Sequence, residues 1–146
     1  MNTKYFFGIG VTITVPPNHV WAIMSDVEHW HLWTPSVRRI RRLDKGLLRV
    51  GSKALVFQPK LPPALWRVTA IEHERSFTWV SRGPGVSVTG YHGIDPIPEG
   101  SKVTLSIRYS GLLAPILSRL TAKLTDQYLG LEAAGLKKLS ENTYAR

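Results

Sequence analysis

Apolar and polar residues alternate at the start of the chain, and the period then changes. Residues 9–15 alternate strictly, which is typical of a β-strand that buries one face. A proline pair ends this strand, and apolar residues then recur at helical spacing. A second short helix contains Trp30 and Trp33 and ends before Pro35, because the residue before a proline disfavours the α conformation. The pattern predicts one strand followed by two short helices.

Short runs with the composition of β-strands follow the two helices. Turn residues, mainly glycine, proline and aspartate, separate the runs, and no helical spacing lies between them. Closely spaced strands without intervening helices form antiparallel meanders and not parallel βαβ units. The predicted strands are residues 37–43, 52–57, 65–71, 76–81, 86–94 and 102–109.

The C-terminal segment returns to a helical period. Residues 116–142 contain no proline, and a helix of about 27 residues is about 40 Å long, enough to cross the predicted sheet. Residues 1–146 are therefore predicted to form a single α+β domain. Apolar residues of this helix recur in steps of three and four, so they are predicted to share one buried face. That face comprises Leu113, Leu117, Leu120, Leu124, Tyr128, Leu131, Gly135 and Leu139.

Composition limits the chemistry that the chain can perform. There is no cysteine, which excludes disulfides, thiolate catalysis and cysteine-ligated zinc. The formal net charge of +9 favours contact with anionic partners. No apolar run is long enough to predict a transmembrane helix. The N-terminal residues alternate and lack a clean cleavage site, so we expect a cytoplasmic protein and not a secreted one.

Several segments match, in order, those of a known superfamily. They are Val11-Thr-Ile-Thr-Val-Pro-Pro-Asn-His-Val-Trp21, Asp26-Val-Glu-His-Trp30, Trp33-Thr-Pro35, Gly51-Ser-Lys53, Phe77-Thr-Trp79, Tyr91-His92 and Leu131-Glu-Ala-Ala-Gly-Leu-Lys-Lys-Leu139. Together they resemble the helix-grip superfamily, which includes START domains, pollen-allergen-type (Bet v 1-like) lipid carriers and the bacterial polyketide cyclase/dehydrase family. The resemblance implies a seven-stranded curved antiparallel sheet wrapped around the long C-terminal helix.

The resemblance also implies an apolar cavity between the sheet, the C-terminal helix and the two short helices. We expect the short helices, Pro35 and the 59–63 loop to frame its mouth. Side chains two apart in a strand share a face, so Trp66 pairs with Val68 and Phe77 with Trp79. The predicted ligand-binding residues are Trp30, Trp33, Trp66, Val68, Phe77, Trp79, His92, Tyr109, Leu117, Leu120, Leu124 and Tyr128.

His92 is the main polar candidate, because its neighbours of the same parity are mostly apolar or small and predict an inward side chain. An inward imidazole could orient a ligand, with Tyr109 as its partner hydroxyl, or act as a catalytic acid or base. It could equally be a core histidine whose hydrogen bond goes to Tyr109, Tyr128 or a backbone group. Both interpretations stay open at this point.

Other recognised site types are absent from the sequence. No metal-binding histidine spacing, nucleophile elbow or phosphate-binding loop occurs, and Gly8-Ile-Gly10 leads into a strand without a third glycine. We therefore expect no metal and no cofactor. Arg38, Arg39, Arg41 and Arg42 form the strongest basic cluster, which either is a solvated edge strand or binds an acidic partner. Residues 37–53 contain no aromatic side chain, which argues against specific nucleic-acid binding.

Three functions follow from these observations. The first is binding of a hydrophobic small molecule, of lipid, polyketide or aromatic type, in an internal cavity. The second is a polyketide cyclase or dehydratase that uses His92 as acid or base. The third is a basic module for nucleic acid or anionic membrane. We favour the first, and the sequence makes no prediction of oligomeric state.

Overall fold

A computed structural model describes residues 5–144. The elements follow the predicted order of one strand, two short helices, six strands and a long helix. They are β1 (Phe6–Ile13), α1 (Pro17–Met24), a 3₁₀ helix (Val27–Leu32), β2 (Arg39–Arg42), β3 (Lys53–Phe57), β4 (Ala64–Glu72), β5 (Ser76–Gly83), β6 (Val86–Ile97), β7 (Gly100–Ser110) and α2 (Ala114–Tyr144).

The seven strands form one antiparallel sheet in the order β1-β7-β6-β5-β4-β3-β2. Only β1 and β7 are neighbours without being consecutive, because the chain crosses back through the two short helices before the meander begins. Alternate residues of the central strands face α2, as the period of two predicts. This is the helix-grip fold, in which the concave face of a curved sheet packs around a C-terminal helix.

The limits of β2, β6 and β7 differ from the predicted ones for identifiable reasons. Strand β2 begins at Arg39 and not at residue 37, because the amide of Val37 bonds to the Thr34 carbonyl in a turn. Strands β6 and β7 are longer than predicted and remain paired out to Ile97 and Gly100. Proline at position 96 is tolerated in this segment, so the predicted five-residue turn over 96–100 shrinks to residues 98 and 99.

The buried face of α2 is displaced by one residue from the predicted face. Leu120, predicted to be inward, is 75% exposed, and Leu113 is 41% exposed. The reason is that α2 buries small and polar side chains, which an apolar pattern does not identify. The buried residues of α2 are Ala114, Ser118, Thr125, Tyr128, Leu129, Glu132, Ala133, Leu136 and Ser140.

The C-terminal half of α2 makes the closest contact with the rest of the chain. Leu129, Ala133 and Leu136 belong to the main hydrophobic core. Gly135 lies against the backbone of the segment after the 3₁₀ helix, where an added Cβ would be 1.9 Å from the Trp33 carbonyl oxygen. The absence of a side chain at this position therefore sets the distance between helix and core.

We expect Gly135→Ala to lower the free energy of unfolding by about 1–3 kcal/mol, because the added methyl group must displace backbone atoms. Urea unfolding measures this change. Gly130→Ala is the matched control on the same helix, since an added Cβ there meets nothing within 4 Å. Alanine should stabilise the helix at position 130 by about 0.5–1 kcal/mol. Equal effects of the two substitutions would contradict the close-contact argument.

Candidate functional site: an apolar cavity with one buried carboxyl

A cavity of about 310 Å³ lies between the N-terminal half of α2 and the concave face of the sheet. The loop between β3 and β4 forms its third side. Its wall is mainly apolar, and most of its polar groups come from α2. The lining residues are Gln58, Leu61, Pro62, Ala64, Trp66, Ser81, Val88, Ile107, Tyr109, Leu117, Thr121, Thr125, Tyr128, Leu129 and Glu132.

Four residues predicted from the sequence lie in this wall. Trp66 projects from β4, Tyr109 from the end of β7, and Leu117 and Tyr128 from α2. The strand positions are inward because residues 66 and 109 have the same parity as the buried positions of β4 and β7. Their contact with a ligand stays a prediction.

Five other predicted residues surround a filled region beneath the 3₁₀ helix and do not line the cavity. Trp30, Phe77, Trp79 and His92 are buried and in mutual ring contact, and Trp33 packs on Trp30 with ring centroids 5.4 Å apart. The inward direction expected for His92 agrees with its burial. The prediction that these five residues line the cavity is wrong, because their own rings fill the space around them.

The remaining predicted lining residues also lie outside the cavity. Val68 is buried in the core next to the aromatic cluster. Leu120 is exposed and Leu124 is half-buried, because the inward face of α2 runs through Thr121 and Thr125 instead. The prediction that Leu120 and Leu124 line the cavity is therefore wrong in position.

His92 is a core histidine with a backbone partner. Its ring stacks on Phe77 with a centroid distance of 4.2 Å and an interplanar angle of 12°. Burial lowers the pKa of His92 to about 4, and the hydrogen bond to the Phe77 carbonyl opposes part of this change. The neutral ring donates from Nδ1 to that carbonyl oxygen at 3.3 Å. Of the two interpretations left open by the sequence, this geometry matches the structural one.

Tyr109 bonds to α2 and not to His92. Its hydroxyl lies 2.7 Å from Thr121 Oγ1 and 3.0 Å from Thr125 Oγ1. Because Thr121 donates its own proton to the Leu117 carbonyl, it accepts from Tyr109, and Thr125 in turn donates to the tyrosine oxygen. These mutually satisfied hydroxyls join β7 to α2 along one wall of the cavity.

Glu132 is the functional candidate that the sequence analysis missed. Its carboxyl is buried in the cavity wall and accepts a hydrogen bond from Ser36 Oγ at 3.0 Å. Thr34 Oγ1 lies 2.8 Å from Ser36 Oγ and forms a hydrogen bond with it. Burial raises the pKa of Glu132 to about 7, although the Ser36 hydroxyl opposes part of the rise. The sequence contained one signal for Glu132. Residue 132 follows Thr125 by two helical turns and Tyr128 by one, so the three side chains lie on the same side of the helix.

The 59–63 loop closes one side of the cavity, as predicted. Tyr128 donates a hydrogen bond from its hydroxyl to the Pro59 carbonyl, which joins α2 to the loop across the cleft. Burial raises the pKa of Tyr128, while the charge of Arg38 opposes the rise. The two short helices and Pro35 contribute no lining residue, because the 3₁₀ helix covers the aromatic cluster instead. The prediction that they frame the mouth is therefore wrong.

The basic cluster at 38–42 lies on β2, an edge strand of the sheet. Arg39 and Arg41 are exposed, whereas Arg42 is held by Asp44, with Nη2 and Oδ2 3.1 Å apart. The arginines therefore do not form one continuous surface, in agreement with strand alternation. Among residues 5–144, no group of three or more potential metal ligands occurs. No helix in that range has the length and apolarity needed to cross a bilayer.

Comparison with known proteins places the chain in one family. Residues 9–141 match the family described as polyketide cyclase / dehydrase and lipid transport. No curated protein matches the sequence.

Solved structures show the same fold at low identity. Hypothetical protein jhp0584 from Helicobacter pylori has a TM-score of 0.79 and 14% identity, covering 96% of this chain and 94% of that one. The Zhui aromatase/cyclase from Streptomyces sp. R1128 gives 0.75 and 14%, with coverages of 94% and 93%. Ara h 8.0201 gives 0.73 and 15%, with coverages of 94% and 98%. These similarities confirm the predicted helix-grip fold.

The burial of His92 predicts a pH-dependent contribution to stability. Its folded pKa of about 4 lies below the ordinary value of 6.5. The unfolded chain therefore binds a proton that the folded chain does not, and stability falls as the pH decreases from 6.5 towards 4. Relative to the wild type, His92→Gln should gain about 2 kcal/mol in unfolding free energy on acidification from about pH 7 to pH 5, because the contribution of Glu132 over this range is common to both proteins.

Urea unfolding at the two pH values measures this difference. His31→Gln is the control, because His31 is exposed on the 3₁₀ helix and its replacement should leave the difference unchanged. A His92→Gln protein with the pH dependence of the wild type would show that the ring takes up a proton in the folded state.

Proposed function

The chain belongs to the polyketide cyclase / dehydrase and lipid transport family, and on this premise we propose that it binds a hydrophobic small molecule in the cavity between α2 and the sheet. The observation that supports this proposal most directly is the cavity itself, whose wall combines large apolar side chains with one buried carboxyl. Burial of apolar ligand surface would supply most of the affinity, at about 25 cal/mol per Å².

The size of the cavity favours a single compact ligand. Its volume of about 310 Å³ is at the lower end of the range of about 300–1,000 Å³ that is usual for small-molecule sites. A ring system or a short acyl chain fits this space better than a complete two-chain lipid does. Trp66 and Tyr109 offer flat surfaces on the sheet side, and Leu117 offers an aliphatic one from the helix.

Glu132 gives the ligand a preferred polar group. A carboxyl with a pKa of about 7 is protonated in a large fraction of molecules at neutral pH. The protonated form donates one hydrogen bond, and a carbonyl or hydroxyl oxygen of the ligand is a suitable acceptor. The proposed ligand is therefore apolar with at least one oxygen, held at the Glu132 end of the cavity.

Filling the cavity should weaken binding without unfolding the protein. Ala64 lines the cavity from β4, so we expect Ala64→Phe to weaken binding at least about tenfold, a change of about 1.4 kcal/mol. Isothermal titration with fatty acids, sterols and polycyclic aromatic compounds measures the affinity. Ala70→Phe is the matched control, because Ala70 lies on the same strand, is exposed and does not line the cavity. Absence of saturable binding by every compound in the wild type would contradict the proposal.

The protonation of Glu132 should appear in the pH dependence of binding. For a ligand whose polar group is a ketone and not a hydroxyl, we expect the affinity of the wild type to fall as the pH rises through about 7, because the ionised carboxylate no longer donates a hydrogen bond to the ketone oxygen. Glu132→Gln keeps a neutral donor and should show nearly constant affinity over the same range. Titration calorimetry at a series of pH values measures both proteins.

Glu141→Gln is the control for this experiment. Glu141 is also on α2, but its hydrogen bond from Lys137 lowers its pKa to about 2, so it stays ionised throughout. This variant should keep the pH dependence of the wild type. A Glu132→Gln protein that keeps it too would remove Glu132 from the proposed ligand contact.

Proton transfer on the bound molecule is a second candidate function, and the position of Glu132 favours it. An acid or base with a pKa near 7 suits catalysis at neutral pH. The candidate group is then Glu132 and not His92, whose ring is enclosed by Trp30, Phe77 and Trp79. Deuterium incorporation next to the carbonyl of a bound ketone, followed by mass spectrometry in D₂O, tests this activity. Loss of exchange in Glu132→Gln with binding retained would support it, and no enzyme-dependent exchange in the wild type would exclude it.

A further inference from the structure

The surface next to the cavity exposes an unusual group of large apolar side chains. Leu112 is 92% exposed, Leu120 75%, Ile116 58% and Leu113 41%. They occupy the turn between β7 and α2 and the first two turns of the helix. We refer to these four residues as the α2 apolar patch. Single exposed leucines are ordinary on protein surfaces, but four within nine residues form a continuous apolar area that is typical of an interaction site.

The α2 apolar patch adjoins the cavity opening. Leu113, Ile116 and Leu120 are spaced by three and four residues and share one side of the helix. The positions immediately after Ile116 and Leu120 are Leu117 and Thr121, which line the cavity. One helix thus presents the cavity wall on one side and the exposed patch on the adjacent side.

Exposed cations lie on the β3–β4 loop and on the N-terminal part of α2, beside the α2 apolar patch. Residues 58–66 and 111–125, which form two sides of the cavity, include no aspartate or glutamate, and the first exposed carboxylate of α2 is Asp126. Their charged side chains are Lys60, Arg119 and Lys123, all of which are exposed. A surface with exposed apolar side chains between cations complements an anionic lipid bilayer, in which the apolar groups enter the interface and the cations meet the headgroups.

We propose that this face docks on anionic bilayers, with the α2 apolar patch inserted at the lipid interface and the cavity opening next to it. The docking proposal depends only on the α2 apolar patch and on the cations beside it. Exchange of a ligand between the bilayer and the cavity rests in addition on the proposed function. A second copy of the chain is a poorer partner for the patch, because a symmetric contact would bring the cations of both copies together.

Vesicle co-sedimentation tests the docking. Wild-type protein should bind phosphatidylcholine vesicles that contain about one-third phosphatidylserine at least about tenfold more tightly than pure phosphatidylcholine vesicles, and binding should weaken with salt. The triple variant Leu112→Gln/Ile116→Gln/Leu120→Gln should lose at least about tenfold in affinity for the anionic vesicles. Glutamine retains helix propensity, so the fold of α2 is preserved.

The control variant removes equally exposed apolar side chains from another surface. Leu43, Leu47 and Val50 lie on the segment between β2 and β3 and are 52%, 86% and 59% exposed. Their replacement by glutamine should leave vesicle binding unchanged. Equal losses in the two triple variants, no binding by the wild type, or patch-dependent dimers that do not bind vesicles would each overturn the proposal.

Ala64→Phe separates this proposal from the proposed function. That variant fills the cavity without changing the patch, so it should keep its affinity for vesicles while losing the soluble ligand. The patch variant should bind the soluble ligand as the wild type does. A protein that binds vesicles but no small molecule would refute the cavity function alone, and the reverse result would refute the docking alone.

Discussion

The close approach of α2 to the segment after the 3₁₀ helix is the contact on which the rest of the structure depends. It is possible because Gly135 has no side chain to meet the Trp33 carbonyl. Leu129, Ala133 and Leu136 fill the core below this point. The N-terminal half of the helix is attached by smaller contacts, namely the hydroxyl contacts of Tyr109, the buried Ala114 and the hydrogen bond from the Leu113 amide to the Gly85 carbonyl. A helix that is held tightly at one end and loosely at the other leaves a cavity at the loose end.

The same contact explains why a carboxyl can be buried beside the cavity. Glu132 is three residues before Gly135, so the close packing brings it within hydrogen-bond distance of Ser36. Burial without such a partner would be much more costly. The interior therefore has two different parts. One is filled by the rings of Trp30, Phe77 and Trp79, and the other is open and contains the polar group.

The sequence predicts the fold well because its signals are local and repeated. Alternation with a period of two correctly gave inward positions such as Trp66 and Trp79, and a single long stretch without proline gave the terminal helix. The cavity depends instead on how far opposite surfaces stand apart. His92 and Trp66 look alike as inward residues, yet one is enclosed by rings and the other borders open space. The identity of an inward side chain does not show how far it lies from the opposite surface. Glu132 was missed for a related reason, since an acidic residue in a helix is usually solvated.

The hydrogen bond between Tyr128 and Pro59 has a consequence for the kinetics of ligand entry. The loop that it holds contains three prolines, at positions 59, 62 and 63, which restrict the backbone. Lys60, with φ of 67°, is held in a left-handed conformation between them. Such a segment has few alternative backbone conformations. On the proposed function, entry of a ligand on this side of the cavity would require rupture of the hydrogen bond between Tyr128 and Pro59, so a ligand that competes for the Tyr128 hydroxyl would lower that barrier.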